Sequence, residues 1–384
     1  MAKIRDRKLF SLYLFYCVNF IATGMLTYSA KYQGEMGLTD GQIGLISAVM
    51  AATSLIFQPG WGMLADRVRF KRTVLVFSQA AAGLLCLLVP LTAGRFLPLL
   101  GVLTVYGIFS LPAMPVGNAI SLEYTSKTGH AFGPIRMMGT IGYQISILGA
   151  GFLLANSLAG LYPAIGCVLL LSAGSALLLP DVQGHQNKKQ KVSITVFFRD
   201  RKLLLLFAVA FLSNIGHQFN LAFFSKHLGD LGISNTVTGL INTCSVLLEI
   251  PFLFFGDRIL KRRSIWTWMT IGLAVGSVRF LLLSVLRSPV WIVFAQMLSI
   301  TQLACFEFFP YVWLSRVTRS ELQASAQSIY QIITFGIARI TASLLGGVIA
   351  DAAGIPRMYA VCGILMAVTF AVFFVPMRRQ ARME

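Results

Sequence analysis

The sequence predicts an all-α membrane protein of twelve transmembrane helices, arranged as two pseudo-symmetric six-helix bundles. Three observations lead there. Of 384 residues, 56% are hydrophobic and only 12% charged, against about a quarter charged in soluble domains. Apolar runs of roughly 20 residues, each long enough to cross about 30 Å of hydrocarbon as a helix, recur from end to end. The one long polar connection, residues 181–201 with its HQNKKQK stretch, divides these runs six and six. The expected organisation is therefore an N-terminal bundle over 1–180, a cytoplasmic linker over 181–201 and a C-terminal bundle over 202–384.

Taken in order, the apolar runs fall near 9–31, 41–64, 73–93, 96–124, 134–156, 159–180, 202–227, 236–257, 264–286, 289–316, 321–350 and 356–377. The first follows a basic N-terminal segment, but its apolar part is too long for a signal peptide and lacks a small-residue cleavage site, so it is expected to be retained. The formal net charge of +18 would point to nucleic acid in a soluble protein. Here, with both termini placed in the cytoplasm, 24 of the 32 Lys and Arg fall on the cytoplasmic side, five outside and three (Arg136, Arg279, Arg339) within spans. Topology accounts for that asymmetry, so a nucleic-acid partner is not expected and the bilayer is.

The six cysteines each lie in an apolar run without paired spacing and read as small packing residues; the four histidines are scattered. Neither set indicates a metal site, and no cofactor is expected. A phosphate-binding G-x-x-x-x-G-K-[ST] loop is missing, which argues against an ATP-driven pump. No nucleophile with a base stands in a polar loop, so the chain does not read as an enzyme.

The halves echo each other. The stretch QPGWGMLADRVRFKR (58–72) matches EIPFLFFGDRILKRR (249–263) at an offset of 191 residues, half the chain. A duplicated six-span unit is characteristic of transporters whose substrate site lies between the repeats near the bilayer midplane. Within the first copy, GMLADRVRFKR (62–72) resembles the loop between spans two and three of the major facilitator superfamily, roughly G-x-L-x-D-R-x-x-[RK]-[RK]. The resemblance implies a conformational latch formed by Gly62, Asp66 and Arg67, echoed at Asp257 and Arg258. In this reading the glycine permits close helix approach, while the aspartate caps a neighbouring helix or pairs with a base.

Three shorter pieces, LIFQP (55–59), FGPIRMMGTIG (132–142) and SVR (277–279), look like the proton-symporter branch that holds lactose permease, nucleoside symporters and phenylpropionate-type permeases. That likeness implies a substrate-holding role for Arg136, places Asn118 where a sugar-binding acid is expected, and puts Tyr143 at a stacking position. It gives Arg279 the task of tuning a proton-carrying carboxylate. Ungapped counting from Arg279 puts Ser299 and Gln302 where the sugar permease has its proton-handling histidine and glutamate, so that machinery is displaced here.

Charges persist in a membrane span mainly where they face a cavity or a partner. Glu249 and Glu307 stand at similar, near-central depth, each about 12–13 Å from the cytoplasmic end of its run at 1.5 Å per residue. Either can carry the proton, with Arg279 lowering its affinity when it approaches; the plainer reading is that both acids pair with Arg279 or Arg339 and never titrate. Asn19, His217, Asn242 and Gln302 are polar residues in spans that can line a substrate cavity, although interhelical hydrogen bonds are an equally ordinary use for them.

The expected function is therefore secondary active transport of a small polar or anionic organic solute by alternating access, in proton-coupled symport. The expected molecule is a monomer in a bacterial cytoplasmic membrane. The nearest alternative is a proton-driven exporter of sugars or drugs with the same fold.

Overall fold

The computed structural model describes residues 2–92, 95–182, 200–247, 263–318 and 323–382. Among them every regular element is a helix, as lipid requires of a chain whose backbone groups find no water to bond. The elements are α1 (Arg7–Glu35), α2 (Asp40–Arg67), α3 (Lys71–Thr92), α4 (Phe96–Thr128), α5 (Phe132–Leu153), α6 (Leu161–Leu177), α7 (Arg201–Asp230), α8 (Asn235–Leu247), α9 (Ile265–Val285), α10 (Pro289–Val317), α11 (Ser325–Ala353) and α12 (Ile355–Ala381). Nine of these, among the described residues, are long and apolar enough to cross a membrane. The expected spans five, six and eight correspond to α5, α6 and α8, the last ending where the described residues stop. Glu249, Asp257, Arg258 and residues 183–199 of the expected linker lie outside the described residues.

Local chemistry sets the helix ends and breaks. Asp200 accepts the Lys202 amide at 2.8 Å and Ser264 that of Trp266 at 3.3 Å, so α7 and α9 start on side-chain caps. Prolines 289 and 356 occupy first-turn positions whose amide has no helical partner. α4 is interrupted at Leu111–Pro112, where proline removes a backbone donor. Gly129 ends it with a left-handed φ of 76°. Among the described residues two helices carry a π turn, Leu303–Phe308 in α10 and Ile332–Ile337 in α11.

The chain divides into two compact units. Unit 1 comprises residues 1–38, 49–188 and 234–239; unit 2 comprises 39–48, 189–233 and 240–384. In unit 1, α3 and α6 cross where a Cβ on Gly83 would stand 3.0 Å from the Gly166 carbonyl, and one on Gly166 2.8 Å from that of Gly83. Helices without a hydrophobic drive toward each other need such small residues to bring backbones close. α1 packs on α5 in the same way, Gly142 lying against the Cys17 carbonyl.

Each unit also seats the first turns of one helix on a glycine. In unit 2 the start of α2 lies on α11: a Cβ on Gly347 would stand 2.7 Å from the Asp40 carbonyl. Asp351 accepts the Gly41 amide at 2.8 Å, capping α2 with a carboxylate from another helix. Lys226 binds Asp40 at 2.9 Å and Asp230 at 3.2 Å beside it. In unit 1 the start of α8 lies on α5: a Cβ on Gly151 would stand 2.7 Å from the Asn235 carbonyl. Asn235 Nδ2 donates to the Leu154 carbonyl at 2.7 Å, and Thr236 to that of Gly151 at 2.9 Å.

Candidate functional site

Unit 1 gathers polar and aromatic side chains from α1, α4 and α5. Tyr16 and Phe20, four residues apart and therefore on one face of α1, stack with ring centroids 6.4 Å apart. The Tyr16 hydroxyl donates to Asn118 Oδ1 at 2.6 Å. The Arg136 guanidinium sits over the Phe20 ring at 4.5 Å, so an aromatic face rather than a carboxylate is its described partner, a recognised way to hold a cation. Glu123, an acid that sequence position leaves open as a substitute partner, is bound to Lys127 at 2.7 Å. Further along, the Tyr143 and Thr27 hydroxyls are 3.3 Å apart, and Asn19 is buried on α1. Asn118, Arg136 and Tyr143 thus each meet a residue of α1: Tyr16, Phe20 and Thr27.

Unit 2 holds the charged centre. His217 Nε2 on α7 and Glu307 Oε1 on α10 are 3.2 Å apart, with side chains 14% and 22% exposed. These two have separate roles in the sequence reading; the fold makes them partners. Below them Ser213 Oγ and the Gln302 amide lie within 3.3 Å. Glu307 stands inside the π turn of α10. Such turns are commonly found at functional sites, and they take carbonyls out of the regular helical ladder. The two π turns are tied to other helices through their carbonyls: Tyr330 donates to Phe306 at 2.5 Å, and Gln218 Nε2 to Thr334 at 3.2 Å.

Arg279 lies deep within unit 2. It is 2% exposed, and its described donors, Nε at 3.2 Å and Nη2, go to Gln296 Oε1. Gln296 Nε2 in turn reaches Asn220 Oδ1 at 3.5 Å, which also accepts from the Tyr359 hydroxyl at 3.1 Å. The guanidinium lies 4.9 Å from the Phe280 ring centre. A buried charge needs polar partners, and here three helices, α7, α10 and α12, supply a chain of neutral ones to Arg279 on α9. Asn242 is half-buried on α8.

At the expected latch, Asp66 approaches Lys71, five residues on, at 3.9 Å. A Cβ added at Gly62 would meet nothing within 4 Å among the described residues, and Arg67 is exposed. The bases that follow are used within unit 1. Arg72 binds Asp181 at 2.8 Å, and together with Lys8 it donates to the carbonyls of residues 177–179 at the end of α6. Cations there complement the negative end of the helix dipole.

Tyr16, Phe20, Gln296, Asn220 and Tyr359 escape a reading of the sequence. An apolar run gives no reason to prefer one tyrosine or glutamine over another until the helices are placed. Only the spacing of Tyr16 and Phe20 offered a signal. Among the described residues no group of three His, Cys, Asp or Glu could hold a metal ion.

The sequence matches the MFS_1 like family over residues 9–361. It is 27% identical to the transporter YwbF of Bacillus subtilis (strain 168) over 369 residues, covering 93% of this chain and 90% of that protein. It is 24% identical to a maltose permease of Geobacillus stearothermophilus, with 96% and 94% covered, and 23% identical to a xanthosine permease of Escherichia coli (strain K12), with 85% and 84% covered. The fold matches the crystal structure of the nucleoside transporter NupG with a TM-score of 0.85 at 16% identity, covering 96% of this chain and 98% of that one.

Proposed function

This chain belongs to the MFS_1 like family of transporters, and from that premise we propose that it moves a small polar organic solute across the membrane by alternating access, in symport with protons. It is an integral membrane protein of all-α major facilitator fold and not an enzyme. Relatives named for maltose and xanthosine support a hydroxylated solute of sugar or nucleoside size. The unit 1 cluster has suitable chemistry: Arg136 and Asn118 supply donors and acceptors for hydroxyls, and Tyr143 a ring face on which a sugar or base can stack.

The observation that carries the coupling is the 3.2 Å contact between His217 and Glu307. A carboxylate and an imidazole in a membrane span are costly to keep and mark proton relays by default. A proton taken up by Glu307 removes the negative charge that faces His217, and its release restores that charge, so the contact and the local charge differ between the loaded and unloaded states. Solute binding that favours one state over the other couples the two flows. Glu249 remains the second carboxylate candidate, and Arg279, held on amides, serves as a fixed cation. Uptake is tested in proteoliposomes with an imposed proton gradient, inside alkaline, against labelled sugars and nucleosides. Accumulation of one class that collapses when a protonophore dissipates the gradient is the expected result. Uptake that ignores the gradient would overturn symport, and no uptake of either class would overturn the solute assignment.

A further inference from the structure

Arg339 stands at the midpoint of α11 (Ser325–Ala353), the depth at which an arginine is most costly to hold in a membrane. It belongs to none of the ion pairs found among the described residues. Helical spacing fixes the side of α11 on which it lies. Ala342, Ser343 and Gly346 follow it by three, four and seven residues, sharing its face, and all three are buried. The lipid-type side chains Leu344, Leu345 and Val348 are exposed on the opposite face. Arg339 is nevertheless exposed. Its side chain is thus reachable at the surface on a face whose next two turns are packed against protein.

The internal repeat gives the same answer by a separate route. Gly151 on α5 and Gly347 on α11 play one part in their units: at each, an added Cβ would stand 2.7 Å from the carbonyl of a residue at the start of the helix seated there, Asn235 or Asp40. Tyr143 and Arg339 each stand eight residues before that glycine (143 and 151; 339 and 347). They are therefore equivalent in depth and in face. Where unit 1 offers a phenol with its ring, unit 2 offers a guanidinium outside every ion pair found among the described residues.

We infer that Arg339 is the anion subsite of the transport pathway, binding a carboxylate or phosphate group carried by the solute. Guanidinium recognises both oxyanions through paired N–H donors, and neither hydroxyls nor lipid tails compensate a mid-span cation as an anion does. This rests on the solute-transport reading above and narrows it, from any sugar- or nucleoside-sized solute to one with an acidic substituent.

The test uses matched pairs on the purified full-length protein in detergent: glucose with glucuronate, and uridine with uridine monophosphate, titrated by calorimetry. The acid of one pair is expected to bind at least tenfold more tightly than its neutral parent. Arg339→Gln should bring the acid to the parent's affinity, and Arg339→Lys should keep part of the difference. Equal binding of acid and parent to the unsubstituted protein overturns the anion subsite while leaving solute transport standing. An acid preference that survives in Arg339→Gln overturns the assignment to this residue. Failure of all four compounds overturns the inference and the solute class together. Should Arg339→Gln fail to fold, the comparison on the unsubstituted protein and on Arg339→Lys decides.

Discussion

The buried chain of Gln296, Asn220 and Tyr359 beside Arg279 is built from neutral side chains, which makes single substitutions there informative. Gln296 accepts from Arg279 twice and donates to Asn220. Gln296→Ala removes one acceptor of a cation that is almost fully buried, and losing a hydrogen bond to a charged group costs about 1.5–3 kcal/mol. The expected outcome is a lower midpoint in thermal unfolding in detergent, with Arg279→Met/Gln296→Met recovering most of the loss, because an apolar pair leaves no orphan. Tyr16→Phe removes one hydrogen bond to Asn118 and should cost about 0.5–1.5 kcal/mol, with solute affinity falling if Asn118 needs that bond to hold its orientation. Titration calorimetry with the transported solute measures the second effect.

The helices themselves were legible in the sequence, since a membrane leaves few options for apolar runs of this length. Their internal departures were not. Nothing in LACFEF (303–308) or IITFGI (332–337) announces a π turn, because the extra residue is stabilised by partners elsewhere: Tyr330 for the Phe306 carbonyl and Gln218 for that of Thr334. Tyr330→Phe should therefore destabilise by about 1–3 kcal/mol through the orphaned carbonyl, and shift the position of Glu307, which a changed pH profile of uptake would register. The seat of α2 on α11 was also hidden, although the pair Gly346-Gly347 marks it as a tight crossing. Gly347→Val places a branched side chain where an added Cβ already stands 2.7 Å from the Asp40 carbonyl and 3.1 Å from the Gly44 Cα. The first turn of α2 must then lift away, which separates Asp40 from Lys226 and Gly41 from Asp351. Increased labelling of a cysteine introduced at Thr39 is the expected readout; unchanged labelling would mean that the crossing adapts locally.

For the molecule as a whole, the duplicated motif, the charge asymmetry and the two sets of six apolar runs were enough to reach the transporter class. The functional residues were legible only as a pool. Sequence resemblance marked Arg136, Asn118 and Tyr143 together and the fold gathers them along α1, but nothing in it pointed to the Gln296 amide that accepts from Arg279. His217 and Glu307, 90 positions apart, could not be paired without the packing of α7 on the π turn of α10. The account therefore turns on that pair. Its most direct test is Glu307→Gln in proteoliposomes, comparing solute counterflow, which needs no net proton movement, with uphill uptake driven by an imposed pH gradient. The account predicts that the variant keeps counterflow and loses uphill uptake. Uphill uptake at the rate of the unsubstituted protein, with Glu307 replaced, would contradict it.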